Sequence, residues 1–169
     1  MEPRSGSDPQ AMKNRTTSER KSARELVVTR TINGPARIVF RAWTTPELFK
    51  QWWVPKSVGM TLLSCDMDVR PGGTYKLVFK HGASEPMAFH GRYKEVTPHS
   101  RLVWTNEEGG EEGPVTTVTF KEEGGRTLVV LQELYPSKEA LDAAIASEST
   151  SGDMSETFDQ LDALVATLK

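Results

Sequence analysis

Cysteine is almost missing from this sequence. Cys65 is the single one in 169 residues, so no internal disulfide can form and nothing marks an oxidising compartment. Long apolar runs are missing as well. No stretch approaches the ~20 apolar residues that cross a bilayer, and the N-terminus lacks the apolar core of a signal peptide, so the expected location is cytoplasmic, with no membrane partner. There is no excess of positive charge: 21 Lys/Arg stand against 23 Asp/Glu, and nucleic acid is not an expected partner. Histidine is scarce. His81 and His99 fall at hairpin turns and His90 on the polar side of a strand; with no His-x-x-x-His or Cys-x-x-Cys spacing, no metal is expected. Gly72-Gly73 opens a strand rather than a helix, and no Lys-Ser/Thr follows, so it is no phosphate cradle and no cofactor is implied.

What is present is one domain's worth of chain, enough to bury roughly 70% of the surface that the unfolded chain exposes. Residues 1–24 hold six Lys/Arg against three Asp/Glu and no apolar period, so burial cannot offset the entropy of ordering them; they read as a flexible tail, with the folded domain at 25–169. Acidic residues gather in Glu107-Glu108-Gly109-Gly110-Glu111-Glu112 and Glu122-Glu123, which read as solvated loop tips.

The domain opens with a β-branched run, Leu26 to Ile32, ended by Asn33-Gly34. Pro35 suits a first helical position, and Ile38, Val39 and Ala42 follow at helical spacing. Thr45-Pro46-Glu47 repeats the device, with a hydroxyl cap, a proline and an acid that complements the helix dipole. Leu48 and Trp52, and Phe49 and Trp53, are each four apart, and both pairs are expected on the buried side. Six strands are predicted next, near 59–69, 74–80, 86–96, 101–106, 115–122 and 126–135. Short turns without intervening helices mean antiparallel pairing. Arg70-Pro71-Gly72-Gly73 fits a type II turn, with Gly72 at the position needing φ > 0. Ser137 caps a short helix through Ile145, Ser149–Gly152 interrupts, and Asp153-x-x-Glu156 reads as a variant capping box. Met154, Phe158, Leu161, Val165 and Leu168 then form one apolar stripe.

Period two separates the faces of the strands. Tyr75, Leu77 and Phe79 share a side, as do Met87, Phe89, Gly91 and Tyr93, then Leu102 and Trp104, and Val118 and Phe120. The opposite sides are mostly polar, so the greasy face is the expected seat of the helical stripe. The run Thr127–Leu134 is apolar on both sides and cannot be oriented by pattern. Asp66 and Asp68 share one strand face beside a turn and read as solvated carboxylates rather than an acid/base pair. Cys65, a lone thiol in a strand, reads as a small core hydrophobe.

Three motifs carry a resemblance. They are Pro35-Ala36-x-x-Val39-Phe40-Arg41-Ala42-Trp43-Thr44-Thr45-Pro46-Glu47-Leu48, then Trp52-Trp53-Val54-Pro55, then Asp68-x-Arg70-Pro71-Gly72-Gly73. Phe89-x-Gly91-x-Tyr93, Arg101-Leu102-Val103-Trp104-Thr105, Val118-Thr119-Phe120 and Leu161-Asp162-x-Leu164 extend it over nearly all of 25–168. The sequence resembles the Aha-type branch of the SRPBCC (START-like) superfamily. The resemblance implies an α+β helix-grip fold: a seven-stranded curved antiparallel sheet around a long C-terminal helix, two short helices after the first strand, and an apolar cavity between.

No nucleophile–base pair, paired carboxylates or metal cluster emerges, so no residue is assigned a catalytic role and the pattern favours a binder over an enzyme. The primary expectation is a small, largely apolar ligand held by Tyr75, Leu77, Phe79, Met87, Phe89, Tyr93, Trp104, Phe120 and Phe158, with Tyr75, Tyr93 and Trp104 as polar handles. The resemblance also implies two alternatives. One is a partner module for the heat-shock chaperone ATPase, although the sequence lacks the extra N-terminal domain of the eukaryotic activators and an Asn-Asn-Trp motif. The other is a polyketide cyclase or aromatase, for which Gln132 or Glu133 is the best internal polar group.

Overall fold

The β-branched run after residue 24 forms a strand, but not the first one. The computed structural model describes residues 16–54, 60–83, 85–107, 113–146 and 155–168. Strand β1, Thr17–Arg20, precedes β2, Glu25–Ile32; helices α1, Ala36–Thr44, and α2, Pro46–Trp52, follow. The meander is β3, Met60–Met67; β4, Thr74–His81; β5, Met87–Thr97; β6, Arg101–Thr105; β7, Val115–Glu123; and β8, Arg126–Leu134. Helices α3, Lys138–Ala146, and α4, Ser155–Val165, complete the order.

All neighbouring strands are antiparallel, in the order β1-β2-β8-β7-β6-β5-β4-β3, so β1 and β3 are the edges of one curved sheet. The α+β helix-grip architecture is as expected, with eight strands rather than seven. The extra strand falls in the polar stretch 1–24, where no local pattern announces it. Its support is tertiary: it pairs along β2 from Thr17↔Thr29 to Arg20↔Leu26, and Arg20 bridges to Asp142 of α3 at 2.7 Å.

Local chemistry sets the helix ends, though not always through the expected groups. Pro35 sits at the cap of α1 rather than inside it, and the Ala36 N–H is met by the Glu122 carboxylate from β7 at 2.9 Å. Glu122, expected at a solvated tip, thus places a negative charge at a helix N-terminus, where the dipole favours it. Thr45 caps α2 by position, but its hydroxyl makes no cap bond. Ser137 behaves as predicted, accepting from the Ala140 N–H at 3.0 Å. The interruption at Ser149–Gly152, Asp153 of the capping box, and Met154 lie outside the described residues.

Helix α4 packs on β2 and on both short helices. Phe158, Leu161 and Val165 of its stripe are buried, and Leu168 is half-buried. Strand β8, whose pattern does not orient it, turns Thr127, Val129 and Leu131 inward and exposes Leu128 and Leu134. Arg30, on the inner side of β2, is only 6% exposed. It donates to Asp159 of α4 at 2.8 Å and to Asp162 at 3.3 Å. Asp162 also accepts from the Asn33 N–H at 3.0 Å, so α4 is fastened to the first long strand by charge as well as by grease.

Candidate functional site

The interior divides into two unlike halves. Beneath α4, Val28, Val118, Val129, Leu131, Phe158 and Leu161 have at most 1% exposure and leave no room for a guest. Towards the β3 edge and α2, inward residues are only partly covered: Leu62, Cys65 and Met67 on β3, Trp104 on β6, and Trp53 and Val54 after α2. An open groove of about 480 Å³ runs along this side, lined by Pro46, Glu47, Cys65, Asp66, Met67, Asp68, Thr74, Tyr75 and Lys76.

From Met67 and Tyr75 in the groove, a row of inner residues runs on across the strands. Met67 pairs with Tyr75, Tyr75 with Gly91, and Tyr93 with Trp104. The turn before β4 fixes this row. Gly72 takes φ +86°, the Gly73 N–H closes the type II turn on the Arg70 carbonyl, and the Tyr93 N–H donates to the Gly73 carbonyl at 2.8 Å. Gly91 is required for a different reason: a Cβ there would lie 2.0 Å from the Thr105 carbonyl oxygen and 2.9 Å from the Tyr75 ring. The Tyr75 ring crosses this gap, and its hydroxyl donates to the Thr105 carbonyl at 2.8 Å.

Among the described residues two donors in this region have no partner, and of these only the Trp43 indole N–H is wholly cut off from solvent. Tyr93 is 5% exposed, and its hydroxyl makes no hydrogen bond with the described residues. Trp43, on α1, is 2% exposed, and its indole N–H meets no acceptor. By contrast, the Trp52 indole donates to the Ala42 carbonyl at 3.0 Å, and the Gln160 side chain of α4 satisfies the carbonyls of Trp52 and Val54. Trp43 is ringed by aromatic side chains, with Trp52, Phe120, Trp53, Trp104, Phe158 and Phe49 at centroid distances from 4.7 to 6.5 Å.

The electrostatics of this half oppose negative charge. Burial pushes the Tyr93 phenol well above its ordinary range, and the nearby Cys65 thiol adds to the effect. Burial, then Asp66, pushes the Cys65 thiol up to about 11; Lys50 works the other way and Glu47 with the rise. Cys65 also sits 3.4 Å from the Met67 thioether. Since the thiolate is the nucleophile, alkylation of Cys65 by iodoacetamide at pH 7.4 should run about a hundredfold slower than that of an unperturbed thiol. The rate should rise tenfold per pH unit up to pH 10; a plateau near pH 8 would contradict the assignment.

The sequence from 33 to 166 matches the family profile described as Activator of Hsp90 ATPase homolog 1-like protein. The chain belongs to this family. It is thus an Aha-type member of the SRPBCC superfamily, as its motifs implied. No curated protein matches the sequence significantly. Among solved structures, a protein from Rhodobacter sphaeroides is 23% identical, with a TM-score of 0.81 over 91% of this chain and 99% of that one. Protein Ms6760 from Mycobacterium smegmatis is 22% identical, with a TM-score of 0.74 over 91% and 98%. Protein CV1439 from Chromobacterium violaceum is 28% identical, with a TM-score of 0.64 over 83% and 96%. These likenesses are of fold.

Within this Aha-type domain the predicted site residues do not converge on one place. Tyr75, Tyr93 and Trp104 lie together along the open half, with ring centroids 5.8 Å and 6.4 Å apart in sequence order. Leu77 and Phe79 continue the same face of β4 and are buried. Phe120 and Phe158 are 5% and 0% exposed, near the filled half. Met87 and Phe89 share the strand side of Tyr93 but are 46% and 39% exposed. Of the three polar handles, Tyr75 is already engaged by the Thr105 carbonyl and Tyr93 is not. Sequence pattern alone misses Met67 as a residue of the groove; the alternation of Cys65 with Met67 is the signal that points to it. Gln132 faces outward and bonds to the Glu25 carboxylate. Glu133 is half-buried on the inner side and accepts from the Tyr135 hydroxyl at 3.1 Å. No group of three metal-ligating side chains occurs among the described residues, and no helix there is long and apolar enough to cross a membrane.

Proposed function

We propose that this protein binds a small, largely apolar molecule in the open half of its interior, between the inner face of β3–β6 and helix α2. The observation that carries this reading is the open groove of about 480 Å³ at the edge of an interior whose apolar residues, Cys65, Met67 and Trp104 among them, are only partly covered. The surrounding Cys65, Met67, Trp53 and Trp104 offer polarisable and aromatic contacts suited to a flat apolar guest.

Catalysis has less support. Glu133, the inward carboxylate of β8, is engaged by Tyr135 rather than standing free. The binding reading is tested by native mass spectrometry of gently purified protein together with a thermal-shift screen of apolar compounds. A mass excess that disappears on denaturation, and a melting temperature raised by at least one compound class, are expected. An unliganded mass combined with no thermal response to any class would refute it.

A further inference from the structure

Strand β8 is apolar on both sides, and only one of them is buried. Inward, Val129 and Leu131 are 0% and 1% exposed. Outward, Leu128 and Leu134 are 37% and 39% exposed, and Val130 between them is half-buried. A strand that is apolar throughout is suited to cover on both faces, and a contiguous exposed apolar patch marks an interaction surface. The neighbouring strands widen the patch. Val27 of β2 lies beside Gln132, Val115 of β7 beside Leu134, and Val103 of β6 beside Thr117 on the same row as Val27.

Up to the β7–β8 hairpin, charge sits at only two corners of this outer face of β1, β2, β8, β7 and β6, and the corners are of opposite sign. Glu25 and, on β1, Glu19, which pairs with Val27, make the acidic corner. Lys121 and, on β6, Arg101, which pairs with Thr119, make the basic one, diagonally across β8. Glu19 and Lys121 are exposed and join no ion pair among the described residues. Arg101 also meets Glu95 at 3.2 Å, and Glu25 accepts from the Gln132 side chain.

We infer that this outer face is a self-association surface, on which a second copy of the chain packs sheet against sheet about a two-fold axis. The charged corners select the arrangement. With strands ~4.8 Å apart and successive outward residues ~6.7 Å apart, the corners are separated by about 14 Å both across and along the strands. A two-fold axis in the interface at about 45° to the strands therefore sets Glu19 over Lys121 of the second copy and Glu25 over its Arg101. The sheets then cross near 90°, one of the two common packing classes. Near-aligned sheets would lay the same charges on threonine and valine, and the other diagonal axis would set acid on acid. The face measures roughly 500 Å² from those spacings, against about 800 Å² per partner in a standard interface, so the dimer is of the weak, reversible class.

Sedimentation equilibrium of the full chain at low ionic strength, from micromolar to millimolar concentration, is the test. A reversible monomer–dimer equilibrium is expected. Glu19→Lys, and separately Lys121→Glu, each bring two like-charge contacts into the dimer and should weaken it about tenfold. The doubly exchanged variant should recover the parental constant. Both positions are exposed, so an unchanged far-ultraviolet circular dichroism spectrum is expected of all three variants. Val130→Lys places a charge at the centre of the face and should leave a monomer. A monomer at every concentration, or a dimer indifferent to Val130→Lys, overturns the surface. Failure of the double exchange to restore association overturns the crossed arrangement.

Discussion

Replacing Arg30 with alanine is expected to lower stability by about 3 kcal/mol, near the low end of the range for breaking a buried ion pair. Arg30 is almost wholly buried, yet of its two carboxylate partners Asp159 is largely exposed and only Asp162 is well covered. Water can recover part of what Asp159 loses, so the upper end of that range does not apply. Asp162 keeps its bond from the Asn33 N–H, which further limits the damage. The loss concentrates where α4 meets β2, and urea unfolding should show a lower midpoint with an unchanged slope. Arg30→Met keeps the aliphatic volume and should lose less than the alanine variant. If Arg30→Ala unfolds at the parental midpoint, the charge clamp contributes nothing and α4 is held by packing alone.

Phe158→Ala and Met67→Ala should differ sharply although both remove a large apolar side chain. Phe158 is fully buried among Trp43 and Trp52 in the filled half, and truncation there leaves a cavity, at a cost of about 3–5 kcal/mol. Met67 borders the groove and is only half-buried. Its loss removes less covered area and leaves no closed void, so about 1 kcal/mol is expected. For a domain of this size each kcal/mol moves the melting temperature by roughly 2–4 °C, so the contrast is easily resolved by calorimetry. Equal losses at the two positions would mean that the interior is uniformly packed and that the open half does not exist in solution.

The order of elements was legible because its signals are local. Proline and glycine punctuate the turns, as at Gly72, and period two separates Tyr75, Leu77 and Phe79 from their neighbours. What could not be read depends on contacts between distant segments. Strand β1 has no apolar pattern; it is held by the open edge of β2 and by Arg20 reaching Asp142. The cap on α1 comes from Glu122, 86 residues away. Strand β8 is apolar on both sides, so only pairing with β2 and β7 reveals that Gln132 points out and Glu133 in.

The candidate site was legible in part for the same reason. Alternation placed Tyr75, Tyr93 and Trp104 on one face. It cannot say that the Tyr75 hydroxyl is taken by the Thr105 carbonyl while that of Tyr93 is left over. Nor can it say that Phe158 lies under a filled roof while Met87 and Phe89 remain open. That division arises from where α2 and α4 come to rest on the sheet.

Binding of a small apolar molecule in the open half of the interior, and nowhere else on the sheet, is tested most directly by a side-chain chemical-shift map of the full protein saturated with 2-acetonaphthone. The predicted result is a set of perturbations centred on Cys65, Met67, Tyr93 and Trp104, with Val118, Leu131 and Leu161 nearly unmoved. Perturbations centred on the exposed Met87 and Phe89, or none anywhere at saturating ketone, would contradict the account.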